Sequence, residues 1–199
     1  MGSIELGKRL WCDFITHAYK YYQGENINKK QVKVLDIGAG AGIYRFMLRN
    51  IQNGFDAVEI HKPYIEQFNI EQFYDKVYNC DAVDFDKYNE YDIIICGDML
   101  EHLTIERAQQ LIKKIKTQSP NSLTFICVPY EYEQTAIRNN KYEIHLQPDL
   151  TRENVKIRYP ELKEMIIFSH HGLGYYLLGK QEKINEVFQP CNKDCKHQH

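Results

Sequence analysis

The chain has 199 residues, enough for one domain with a full hydrophobic core. Its composition is ordinary for a globular protein, and a net charge of −2 argues against an overall electrostatic grip on nucleic acid. No apolar run approaches the ~20 residues of a membrane span and the N-terminus shows no signal-peptide pattern, so the expected setting is the cytoplasm without membrane contact.

Leu6, Leu10, Trp11, Phe14, Ile15, Ala18 and Tyr22 recur at helical spacing and predict a helix over 4–22, followed by a polar break at 24–30. The apolar run Val32–Leu35 predicts a first strand, and 43–49 reads as a helix. Further strands are expected at 55–60, 76–79, 91–96 and 122–128, with a weak helix over 64–73 and an amphipathic one over 104–117. Strands separated by helices imply parallel pairing in a doubly wound α/β sheet. Two last strands, 165–168 and 175–179, have no helix between them and should pair antiparallel. Residues 1–30 then form a helix and linker packed on a domain at 31–180, and 181–199 is a polar tail. Cys12, Cys80, Cys96 and Cys127 read as small buried hydrophobes, without a disulfide framework.

The most informative stretch joins the first strand to the next helix: Asp36-Ile37-Gly38-Ala39-Gly40-Ala41-Gly42. Glycines there let the backbone turn sharply and let a ligand lie against bare peptide. The spacing is not the G-x-G-x-x-G of dinucleotide sites, and a carboxylate precedes it. A pyrophosphate would be repelled by that carboxylate; a ligand with a positive amino group would not. The D-x-G-x-G-x-G pattern resembles that of class I S-adenosylmethionine (SAM) methyltransferases, and the resemblance extends over roughly residues 30 to 180. It implies a Rossmann-like seven-stranded sheet, mostly parallel with an antiparallel last strand.

The resemblance also implies a set of site residues. Asp36, Gly38, Ala39, Gly40 and Gly42 would hold the amino-acid end and ribose of SAM, with Gly97 nearby. Glu59 and Ile60 follow the second strand, and the Glu59 carboxylate suits a pair of ribose hydroxyls. Asp81 and Ala82 follow the third strand and would face the adenine. The run Asp98-Met99-Leu100-Glu101-His102-Leu103 looks like that of a branch acting on small molecules, including sugars and quinone precursors. Being beyond the carboxyl end of a strand, Asp98 and His102 are placed for the acceptor side. Residues 128–154 resemble a run found in bacterial and phage methyltransferases associated with saccharide modification. Within it His145 is the candidate general base, since a hydroxyl or amine acceptor must lose a proton near neutral pH. Tyr130, Tyr132 and Tyr142 are candidates to line the acceptor pocket, and Thr151 reads as a helix N-cap.

Some small-RNA 2′-O-methyltransferases and ubiquinone-type O-methyltransferases carry E-x-x-E-H here and bind a divalent ion. The similarity implies Asp98, Glu101, His102 and His145 as a metal set. The same residues also occur in metal-free relatives, and the reading without a metal leads. The expected function is SAM-dependent methyl transfer to a hydroxyl or amino group of a small molecule, with a saccharide in view. Metal-assisted RNA 2′-O-methylation and a non-catalytic SAM-binding module are the alternatives; a nucleotide-cofactor oxidoreductase is disfavoured by Asp36 and the glycine spacing. Cys191, Cys195, His197 and His199 are spaced too tightly for a standard zinc finger and read as a solvated terminus.

Overall fold

The structure is a computed structural model that describes residues 3–25, 31–165 and 172–188. Seven strands form one sheet: β1 (Val34–Ile37), β2 (Phe55–Val58), β3 (Val77–Tyr78), β4 (Ile93–Gly97), β5 (Leu123–Pro129), β6 (Lys163–Glu164) and β7 (Leu173–Leu178). Their order is β3-β2-β1-β4-β5-β7-β6. Neighbours from β3 to β5 pair in parallel, and β7 runs antiparallel to both β5 and β6. The helices are α1 (Ser3–Glu25), α2 (Ile43–Met47), α3 (Lys62–Gln67), α4 (Ile105–Gln118), α5 (Arg152–Arg158) and α6 (Gln181–Phe188).

The five inner strands, β2, β1, β4, β5 and β7, are buried on both faces, and their side chains alternate between two cores as the two-residue repeat requires. Ile93 and Ile95 join Val34, Phe125 and Cys127 on the face covered by α1. Ile94 and Cys96 join Leu35, Ile126 and Val128 on the other, covered by Leu111, Ile112 and Ile115 of α4. Trp11, Cys12, Ile15, Ala18 and Tyr22 of α1 are buried. Leu10, expected with them, is 38% exposed. Thr104 caps α4, and Thr151 Oγ1 caps α5 by accepting from Asn154 N at 3.0 Å.

Several elements differ from the sequence reading, among them β7, which begins at Leu173 and not at 175. The first strand begins and ends two residues later, taking in Asp36. The sixth strand sits at 163–164, ahead of the expected 165–168, and residues 166–168 lie outside the described residues. Residues 181–188, expected to open a polar tail, form α6; its Val187 is buried in the α1-side core. The cysteine–histidine tail lies outside the described residues. Among the described residues, no helix is long and apolar enough to cross a membrane.

Candidate active site

Two cavities adjoin beyond the carboxyl ends of β1, β2 and β4. The first, about 380 Å³, is lined by Gly38, Ala39 and Gly40, by Glu59 and Ile60, by Asp81 and Ala82, and by Gly97. These are the residues the sequence reading assigned to one ligand, and the fold brings them together. Gly42 does not line this cavity. It holds φ at 76° and turns the chain into α2, a conformation that favours glycine. Gly97 leaves room for a ring: a Cβ there would lie 2.1 Å from Tyr44, whose ring packs under it.

Glu59 secures the loop. Its Oε2 accepts from Gly40 N and its Oε1 from His61 N, both at 2.7 Å. Burial pushes its pKa up, and these two backbone donors pull against that. A carboxylate has about four acceptor positions, so both oxygens keep capacity toward the cavity. Asp81 accepts from Val83 N and Arg107, both at 2.8 Å, and lines the same wall.

Asp36 is outside the cavity lining. It is 1% exposed beneath the glycine loop, and the Tyr74 hydroxyl donates to its Oδ2 at 2.6 Å. Burial raises its pKa from 3.8 to about 7; the Tyr74 hydrogen bond opposes the rise and the Glu59 charge adds to it. The folded state therefore holds this proton more tightly than the unfolded chain does. The stability it confers is complete below pH 4 and is lost as pH rises toward 7. Asp36→Asn should thus be more stable than wild type at pH 8, by up to about 4 kcal/mol, with the difference closing by pH 4. Urea unfolding at the two pH values measures this; a difference independent of pH would refute the shifted carboxyl.

The second cavity, about 470 Å³, is lined by Lys8, Asp98, Glu101, Tyr130, Tyr132, Gln134 and His145, among others. Asp98, His102 and Glu143 line both cavities. Of the three tyrosines expected together, Tyr130 and Tyr132 line this second cavity and Tyr142 lines the first. The segment following β5 is fastened to the turn after β4: Leu146 N and Gln147 N donate to Glu101 O at 2.8 and 3.1 Å. Buried Gln147 also donates to Leu100 O and Leu103 O, both at 3.0 Å. Gln134 donates to Glu143 O at 2.8 Å and accepts from His145 N at 3.0 Å. This lattice explains why glutamines stand at 134 and 147, and it sets His145 beside Glu101 and His102.

Those three residues form a cluster whose candidate ligand atoms lie within 4.8 Å of one another. Asp98, expected among them, is not part of it. It adopts φ 51°, pairs with Lys8 of α1 and receives Tyr44 OH at 3.5 Å. Burial works against the charge of Lys8, but Asp98 outweighs it and raises the pKa. Burial, then the charge of Asp98, drives the Glu101 pKa well up; burial, then His145, lowers that of His102. Lys8, Tyr44 and Tyr74 were missed in the sequence. Lys8 and Tyr44 lie in segments whose spacing reports a helix, and Tyr74 just past one; that spacing says nothing of where a polar atom ends.

Residues 35–119 match the family described as methyltransferase domain. Among solved structures, the chain resembles an S-adenosylmethionine-dependent methyltransferase from Clostridium acetobutylicum ATCC 824 (TM-score 0.58, 12% identity, covering 87% of this chain and 92% of that one). It also resembles magnesium protoporphyrin IX methyltransferase from Synechocystis PCC 6803, solved with bound SAM (TM-score 0.55, 13% identity, 88% and 80% covered). No curated protein matches it by sequence. The chain therefore has the class I SAM-dependent methyltransferase fold.

Proposed function

We propose that this protein is a SAM-dependent methyltransferase that acts on a hydroxyl or amino group of a small molecule, a saccharide being the favoured scaffold. The observation that carries the reading is the meeting of the two cavities at Asp98, His102 and Glu143. A cofactor in one and an acceptor in the other would touch at that boundary.

The first cavity suits SAM in kind. Gly38, Ala39 and Gly40 offer bare backbone, Glu59 a ribose-binding carboxylate, and Val58, Ile60, Ala82, Met99 and Leu103 apolar walls for a purine. When bound, SAM supplies an electrophilic methyl group on a sulfonium. The protein's part is to align the acceptor, where most of the rate gain lies, and to take one proton. His145 is the base: its Nδ1 faces Tyr132 O at 2.6 Å, which fixes the ring, and the side chain is 3% exposed. The size of the second cavity, about 470 Å³, and the net charge of −2 favour a small acceptor over a nucleic-acid track.

Calorimetric titration with SAM and S-adenosylhomocysteine, followed by labelled methyl transfer to sugars, amino sugars, quinone precursors and RNA, tests the reading. Micromolar binding is expected; no binding of either compound would sink it. His145→Ala should bind S-adenosylhomocysteine within about twofold of wild type while turnover falls about 100-fold or more. Retained turnover would pass the proton to Asp98 or His102.

A further inference from the structure

Glu101, His102 and His145 turn three atoms toward one point, and with Glu101 charged all three are acceptors. His102 Nδ1 lies 3.3 Å from Ile144 O, and His145 Nδ1 lies 2.6 Å from Tyr132 O. A carbonyl only accepts, so in both neutral rings the hydrogen is on Nδ1 and the lone pair on Nε2. The two Nε2 atoms stand 3.9 and 4.0 Å from Glu101 Oε1, beyond hydrogen-bond reach of it. Glu101 is 1% exposed, and neither of its oxygens has a hydrogen-bond partner. A buried carboxylate is stable only when paired and hydrogen-bonded. A cationic group seated at that point would offset the burial that drives the Glu101 pKa up and would engage three acceptors at once.

A metal ion and a primary ammonium group both meet that description; a metal would draw the three residues together by a few tenths of an ångström, and an ammonium fits them as they stand. A point shared by three atoms up to 4.8 Å apart lies roughly 2.5 Å from each, whereas Zn²⁺ and Mg²⁺ bonds to nitrogen and oxygen are ~2.0–2.2 Å. A charge-assisted hydrogen bond from an ammonium nitrogen spans ~2.7–2.9 Å, which places that nitrogen just above the plane of the three atoms with no rearrangement. Its three hydrogens match the three acceptors.

We propose that the acceptor is a primary amine whose ammonium group seats on Glu101, His102 and His145. This rests on the methyltransferase reading and narrows its acceptor from hydroxyl or amine to amine. His102 also lines the cofactor cavity, so the seated nitrogen lies at the boundary where transfer must occur. The ammonium gives one proton to His145 Nε2. The amine then turns on its two remaining contacts so that the freed lone pair faces the methyl group, and it forms the new N–C bond as the S–C bond breaks, the electrons of that bond staying on sulfur. The products are an N-methylammonium and S-adenosylhomocysteine, with the proton on His145 leaving to solvent.

The test uses the full chain, treated with EDTA and then loaded with S-adenosylhomocysteine, whose own binding is measured first. Failure of that loading would count against the methyltransferase reading and leave the amine question separate. The loaded protein is titrated with ethanolamine, glucosamine and benzylamine, with their hydroxyl counterparts ethylene glycol, glucose and benzyl alcohol, and with Zn²⁺ and Mn²⁺. At least one amine should bind tenfold or more tighter than its counterpart. Glu101→Gln should erase that preference while S-adenosylhomocysteine affinity stays within twofold. The wild-type amine-to-alcohol comparison decides the matter if the variant does not fold. No preference for any amine would overturn the proposal, as would one-to-one Zn²⁺ or Mn²⁺ binding that displaces the amines and vanishes in Glu101→Gln.

Discussion

Glu59→Ala should weaken SAM binding by about 100-fold or more, roughly 3 kcal/mol. The substitution removes the acceptor for Gly40 N and His61 N together, each now held at 2.7 Å. Hydrogen bonds to a charged group contribute about 1.5–3 kcal/mol each, and the two orphaned donors would let the glycine loop drift from the cavity wall. The ribose hydroxyls would lose their partner as well. Glu59→Gln keeps one acceptor oxygen and should fall between. Calorimetry with SAM measures both; affinities within threefold of wild type for the pair would remove Glu59 from the cofactor site.

The second large effect concerns stability. Trp11 is fully buried, with its ring 5.2 Å from Phe125 edge-on and 5.0 Å from Tyr175. Trp11→Ala should cost about 3–5 kcal/mol, because the sheet cannot collapse into the space an indole leaves. The indole Nε1 has no hydrogen-bond partner, so Trp11→Phe should lose much less. Urea unfolding with an unchanged m-value reads the difference. A loss under about 1 kcal/mol for the alanine variant would mean that α1 rests on the domain without bearing on it. Lys8 lies on the same helix and pairs with Asp98, so the alanine variant should also disturb the wall between the cavities.

Much of this architecture was legible in the sequence, for physical reasons. Strands buried on both faces read as unbroken apolar runs, and Ile93-Ile94-Ile95 could be little else. Thr104 and Thr151 mark helix starts because a hydroxyl must satisfy an end N–H. The first strand was misplaced because a carboxylate ends an apolar pattern, while Asp36 stays in the strand, buried and bonded to Tyr74. Residues 181–188 passed for tail because their apolar content is thin, although Val187 reaches the core. In the site, residues read from strand ends fell around one cavity, since a parallel sheet gathers those ends. The grouping of Glu101 and His102 with His145, residues more than 40 apart, was implied by the family resemblance and not by local pattern, and the loss of Asp98 to Lys8 had no signature in the sequence.

The place of Trp11 also has a consequence in time. Its helix leaves the ribosome well before the surface it packs against, which includes Phe125 and, on β7, the last strand among the described residues, Tyr175. At ~5–20 residues per second, the tryptophan waits on the order of ten to thirty seconds for its partner to exist. During that interval the apolar stripe of α1 faces water on a nascent chain with an unfinished sheet. Synthesis of this protein should accordingly be more sensitive to holding chaperones than refolding of the finished chain, in which both sides of the contact are present from the start.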